Sequence, residues 1–172
     1  IRRGSNMSLF NSVAVGFPVE LTINNDRGSQ TQTAASEGKA NVKNVYFANM
    51  TILGSDRDGS FKDSLSVDAS KFDPTAPESF SSSYFKLAAN NNRVLNSYSE
   101  LMLKNIANPK VNGNWLPLAG SPLLNKSNLF TDAKLQDSFF DKVNFIGAFK
   151  SDSPADNWTL KWTNFDPQNT SY

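Results

Sequence analysis

Among 172 residues there is no histidine and no cysteine, which excludes Ser-His-Asp and Cys-His catalysis, thiol redox chemistry and the usual His/Cys zinc shell. Seventeen basic residues face sixteen acidic ones without forming blocks; no field gathers a phosphate backbone or an anionic bilayer, and no nucleic-acid partner is expected. The longest apolar runs, such as VAVGFPVEL, are interrupted by Pro18 and Glu20 and fall short of the roughly 20 residues of a spanning helix, so no membrane span is expected.

The length suits one well-buried domain with an elaborated end. From Met7 to Gly16, the side chains of Met7, Leu9, Val13 and Val15 are apolar, and a strand's period of two sends them to one face if the chain bends once at Phe10-Asn11. Asn11 is suited to that bend, because asparagine tolerates left-handed backbone better than other non-glycine residues. Val19, Leu21 and Ile23 form a second alternating run, closed by the turn-rich Asn24-Asn25-Asp26-Arg27-Gly28.

Residues 28 to 38 are small and polar and read as an excursion. After them Val45 to Gly54 repeats the first layout, with Asn49 in the place of Asn11 and Gly54 in that of Gly16, an offset of 38 residues. Such an echo predicts stacked coils in which Asn11 lies under Asn49, about 4.8 Å away, their amides bonded as a ladder. Two unrelated strands that both end in glycine are the alternative.

Residues 55 to 100 are dominated by turn signals such as Asp-Gly, Asp-Pro and Ala-Pro. Asp56, Asp58 and Gly59 partly resemble a calcium loop, but Gly54 stands at the first ligand position and Leu65 at the closing one, so a turn with solvated carboxylates is the expectation. Asp56, Asp58 and Asp63 are also the acidic cluster an enzymatic groove would require, although nothing in the spacing converges them. Phe80, Tyr84, Leu87 and Ala88 share a helical face behind Ser79, a good N-cap, and Asn90-Asn91-Asn92 stops the helix.

In the tail, Trp158, Leu160 and Trp162 alternate with Thr159, Lys161 and Thr163, predicting a strand with one aromatic face. Two readings stand. The aromatic face, with Phe149, plugs the end of the fold; or Trp158 and Trp162 form a platform for sugar rings, with Asn157 and Asn164 orienting hydroxyls.

Ala119-Gly120-Ser121-Pro122-Leu123-Leu124, preceded by Asn108-Pro109 and Trp115-Leu116-Pro117, resembles the "GSP" closing segment of secreted right-handed parallel β-helix proteins. Ile146-Gly147-Ala148-Phe149, Asn157-Trp158 and Trp162-Thr163-Asn164-Phe165-Asp166-Pro167 are similar to the C-terminal cap of exported β-helix proteins of Gram-negative bacteria, apart from Lys161, where that pattern carries glycine. The opening IRRGSNMSLFNSVAVGFPV resembles a late rung of the same set. What the resemblance implies, together with the echo, is an all-β chain: right-handed parallel β-helix coils over 1–54, a loop and short-helix insertion over 55–100, and a last coil with an aromatic C-terminal cap over 101–172.

The functional expectation is a non-catalytic structural and binding module, secreted or at the outer cell surface. A polysaccharide or surface glycan is the partner that the platform reading, the second of the two, would take; no cofactor or metal is expected. The alternative is the C-terminal fragment of a polysaccharide lyase or glycoside hydrolase whose catalytic residues lie upstream. Because Ile1 enters directly into strand-like sequence, the first coil is expected to be covered by further upstream chain or by end-to-end self-association.

Overall fold

The structure, a computed structural model, describes residues 1–25, 30–56, 78–106, 114–160 and 163–170. It divides into two compact units, Ile1–Asn96 and Ser97–Tyr172.

In the first unit the chain makes β1 (Ser8–Phe10), β2 (Val13–Val15) and β3 (Val19–Thr22). The bend between β1 and β2 falls at Asn11, whose φ is 51°, and the corner after β2 falls at Gly16 with φ 77°. The helix α1 (Thr31–Ser36) follows, then β4 (Asn41–Lys43), β5 (Tyr46–Ala48) and β6 (Ile52–Ser55). Each later strand lies parallel to its earlier counterpart: Ser8 opposite Asn41, Val13 opposite Tyr46, and Val19 opposite Ile52. After α2 (Phe80–Phe85), β7 (Arg93–Leu95) joins β5 on its other side.

That register differs from the expected one. Asn11 stacks on Asn44 rather than Asn49: Asn44 Nδ2 donates to Asn11 Oδ1 at 3.1 Å, and Asn91 Nδ2 donates to Asn44 Oδ1 at 2.8 Å. Asn49 is positioned by the corner instead, since Val15 lies opposite Ala48 and Gly16 N–H donates to the Ala48 carbonyl at 3.0 Å.

From residue 31 to 36 the excursion between the copies forms a helix, which its polarity did not suggest. Thr31, Ala34 and Ala35 of α1 are buried, the two alanines within the cluster formed by Leu21, Ile23, Val42, Val45, Phe47, Tyr84 and Phe85. At its centre Phe47 and Phe85 stack with ring centroids 4.4 Å apart.

The helix α2 forms where its N-cap was expected, with the Ser79 side chain accepting from Ser82 N–H at 3.1 Å. Asp56 reinforces that end, accepting from Phe80 N–H at 2.7 Å, Ser81 N–H at 2.9 Å and Ser81 Oγ–H at 2.6 Å. Tyr84 and Phe85 are buried while Leu87 lies exposed beyond the C-cap. The helix lies close on β6, leaving room for no side chain at Gly54.

Among its described residues the second unit contains one antiparallel pair, β8 (Leu103–Asn105) with β9 (Asn114–Pro117). Its other regular segments are 3-10 turns at Tyr98–Leu101, Ala133–Leu135, Pro154–Asp156 and Pro167–Asn169.

The expectation of a right-handed parallel β-helix is therefore corrected. The strands run three or four residues in small separate sheets, parallel in the first unit and antiparallel in the second, and the described residues form no closed coil or solenoid. A solenoid propagates by pairing each strand on both sides, whereas among the described residues only β5 has two neighbours. Among the described residues helix, counting the 3-10 turns, is nearly as frequent as strand, about 21% against 24%, which a stack of strands would not give.

The aromatic C-terminal cap is corrected with it. Residues 158–160 form a turn in which Trp158 and Leu160 are 53% and 54% exposed while Thr159 is buried, the reverse of the expected faces. The cause is Asn157, whose Oδ1 accepts from Thr159 N–H at 3.2 Å and Thr159 Oγ–H at 2.6 Å. With Leu160 N–H bonded to the Asn157 carbonyl at 3.2 Å, the chain turns where an extended strand was predicted.

Candidate functional site

The residues around Trp158 are positioned from a buried anchor outward. Ile146 is buried and its N–H donates to the Leu123 carbonyl at 2.8 Å, holding this end of the segment. Gly147 then takes φ 91°, a conformation costly for any residue with a Cβ. Beyond that turn the Ala148 carbonyl accepts from the Trp158 indole N–H at 3.0 Å, and the Phe149 ring stacks on the indole with centroids 5.9 Å apart and planes 23° apart.

The loop from Lys150 to Asn157 closes on itself. Ser153 caps the 3-10 turn Pro154–Asp156 by accepting from Ala155 N–H at 3.3 Å. Asp156 Oδ2 accepts from Ser151 Oγ–H, and Lys150 Nζ lies 3.1 Å from Asp156 Oδ1. The Ser151 hydrogen bond holds the Asp156 carboxyl below the usual aspartate range against the opposing effect of desolvation, with lesser contributions from Lys150. Trp158 N–H donates to the Asp156 carbonyl at 3.1 Å, which ties the charged pair to the residue bearing the ring.

The surface so formed has a clamped indole, fixed at its N–H edge and backed by Phe149. An ammonium, a carboxylate and a hydroxyl lie on the same short loop. Flat apolar surface with polar groups at its margin is the chemistry that binds pyranose rings.

Of the residues singled out in the sequence, Trp158 and Asn157 occupy this turn, but the Asn157 amide oxygen is engaged by Thr159. Asn164 lies in a turn of its own, donating from Nδ2 to Thr170 Oγ1 and accepting from Asp166 N–H, both at 2.9 Å. Trp162 falls outside the described residues. Phe165, adjacent to Asn164, packs edge-on against Trp115 with centroids 4.6 Å apart.

Lys150, Ser151 and Asp156 were not singled out in the sequence. The signal was available in Ser151-Asp152-Ser153-Pro154, a turn-rich run that folds back on itself and can bring its flanking charges together.

In the other acidic segment, Asp56 serves as a brace for α2, whereas Asp58 and Asp63 lie outside the described residues. Among the described residues no group of three acidic side chains is placed to hold a metal ion. No helix among them is long and apolar enough to cross a membrane.

Comparison with family models, with curated proteins and with solved structures finds no match. The resemblance of the tail to exported bacterial proteins accordingly rests on the quoted residues alone.

Proposed function

We propose that this chain is a non-catalytic binding module of an exported or cell-surface protein, with a polysaccharide as its ligand and the Trp158 face as its site. The observation that carries this reading is an indole 53% exposed yet clamped by the Ala148 carbonyl and the Phe149 ring. A core tryptophan would be largely covered. A ring already held in place loses less freedom when a ligand stacks on it, so more of the contact energy reaches affinity.

The test is affinity electrophoresis of the whole chain through gels containing neutral or acidic polysaccharides, alongside Trp158→Ala. Retardation by at least one polymer, abolished in Trp158→Ala with an unchanged denaturant midpoint, is the expected result. Equal retardation of the variant would remove Trp158 from the site. A stability loss of roughly 3 kcal/mol or more would return the ring to a structural role.

A further inference from the structure

Resting on that reading, we propose that the Lys150–Asp156 pair beside the Trp158 face selects neutral sugars carrying hydroxyls on adjacent ring carbons. Lys150 follows Phe149 directly, and the Asp156 carbonyl accepts from Trp158 N–H, so the backbone links each charged residue to one of the two residues whose rings stack. Their charged atoms lie 3.1 Å apart. Neighbouring hydroxyl oxygens on a pyranose have a similar separation of about 3 Å, so one hydroxyl can donate to the carboxylate while the next accepts from the ammonium.

Three further observations favour this use. Ser151 donates to the other carboxylate oxygen and fixes the orientation of Asp156, leaving Oδ1 toward Lys150. The Lys150 side chain is 65% exposed and the Asp156 side chain 17%; a pair with one member in solvent is weakly held, so a ligand hydroxyl can take over one of the ammonium's hydrogen bonds at little cost. Charge then sets the class of sugar: Asp156 repels a uronate, and the Lys150 charge that would attract one is already opposed at 3.1 Å. A neutral hexose meets no such penalty.

Galactomannan, dextran and polygalacturonate distinguish the outcomes when titrated into the whole chain and into Asp156→Ala, Lys150→Met and Trp158→Ala, with binding read by calorimetry. Binding of a neutral polymer at least tenfold tighter than polygalacturonate, weakened roughly tenfold by Asp156→Ala and by Lys150→Met, is expected. Lys150→Met leaves the Ser151–Asp156 hydrogen bond in place, so it decides the matter if Asp156→Ala folds poorly. Equal or preferential binding of polygalacturonate overturns the proposal. Neutral-polymer binding that depends on Trp158 but is unchanged in both charge variants also overturns it while leaving the Trp158 site standing. Binding of no polymer by the unaltered chain overturns the site and the selectivity together.

Discussion

Asn44 hydrogen-bonds Asn11 across the 33 residues that separate them, and both hold left-handed backbone, with φ of 55° and 51°. The same side chain accepts from Asn91, so Asn44 is the middle member of a three-residue ladder. Asn44→Ala should lose two side-chain hydrogen bonds and strain the backbone, whereas Asn44→Gly loses the bonds alone. We expect the glycine variant to be destabilised by about 1–3 kcal/mol and the alanine variant by about 1 kcal/mol more. Urea melts of both variants test this, and an alanine variant as stable as the glycine one would show that the backbone strain is absent.

Phe47 and Phe85 are each 2% exposed and stacked. Phe85→Ala is expected to cost ~3–5 kcal/mol, and Phe85→Leu no more than about 1.5 kcal/mol if the neighbours close in. Chemical denaturation with an unchanged m-value is the check; equal effects from the two substitutions would contradict a packing origin.

A Cβ placed on Gly54 would lie 2.5 Å from Ser82 Oγ and 2.6 Å from Ser82 N. Gly54→Ala must therefore displace α2, at a cost of roughly 1–3 kcal/mol. Ser82 Oγ is buried with no hydrogen-bond partner among the described residues, so Ser82→Ala alone should be neutral or slightly stabilising. Combining the two relieves the hydroxyl clash and leaves the backbone one. Calorimetric melts should show partial rescue; full rescue would mean that the backbone of α2 yields freely.

Glu20 lies on β3 with both carboxylate oxygens shielded from solvent and, among the described residues, without a hydrogen bond of ordinary geometry. Burial pushes its pKa up from 4.5 to about 7, opposed weakly by the Phe17 backbone N–H. The folded state thus holds the proton more tightly than the unfolded chain. The stability this confers is fully present below pH 4.5 and is lost as pH rises through about 7. Since the residue as a whole is only half-buried, the loss is expected to be on the order of 1–2 kcal/mol after allowance for solvent screening. Denaturant melts from pH 4 to 8 should show this decline, and Glu20→Gln should flatten it. The same decline in the variant would assign it to another group.

How far the sequence could be read depended on whether the signal was local. The bend at Asn11 and the cap at Ser79 are set by a residue's own backbone preference or nearest hydrogen bonds, and both appear where expected. Strand register was ambiguous because Asn44 and Asn49 both take left-handed backbone, at φ 55° and 56°, and only side-chain pairing distinguishes them. The helix α1 was concealed by its composition, since two alanines and a threonine suffice to line its buried side.

The tail misled for a related reason. Alternation of Trp158, Thr159 and Leu160 satisfies a strand's period of two, but Asn157 supplies a competing hydrogen-bond acceptor that closes a turn first. The Lys150–Asp156 pairing arises only when the intervening loop closes, so the candidate site was visible in its aromatic part and not in its charged part.

The uniform spacing of three of the parallel strand pairs, β1–β4, β2–β5 and β3–β6, carries a kinetic consequence. Each pair joins residues 33 positions apart, as the Asn41–Ser8 and Asn44–Asn11 contacts show. The first pair to form must close that whole loop before any contact repays the lost chain freedom. Its neighbours then lie already in register, separated by only two or three corner residues, and add at small further entropic expense. Assembly of the first unit should accordingly be a slow, nucleated closure followed by fast zipping, on the millisecond-to-second scale of folds built from distant pairings.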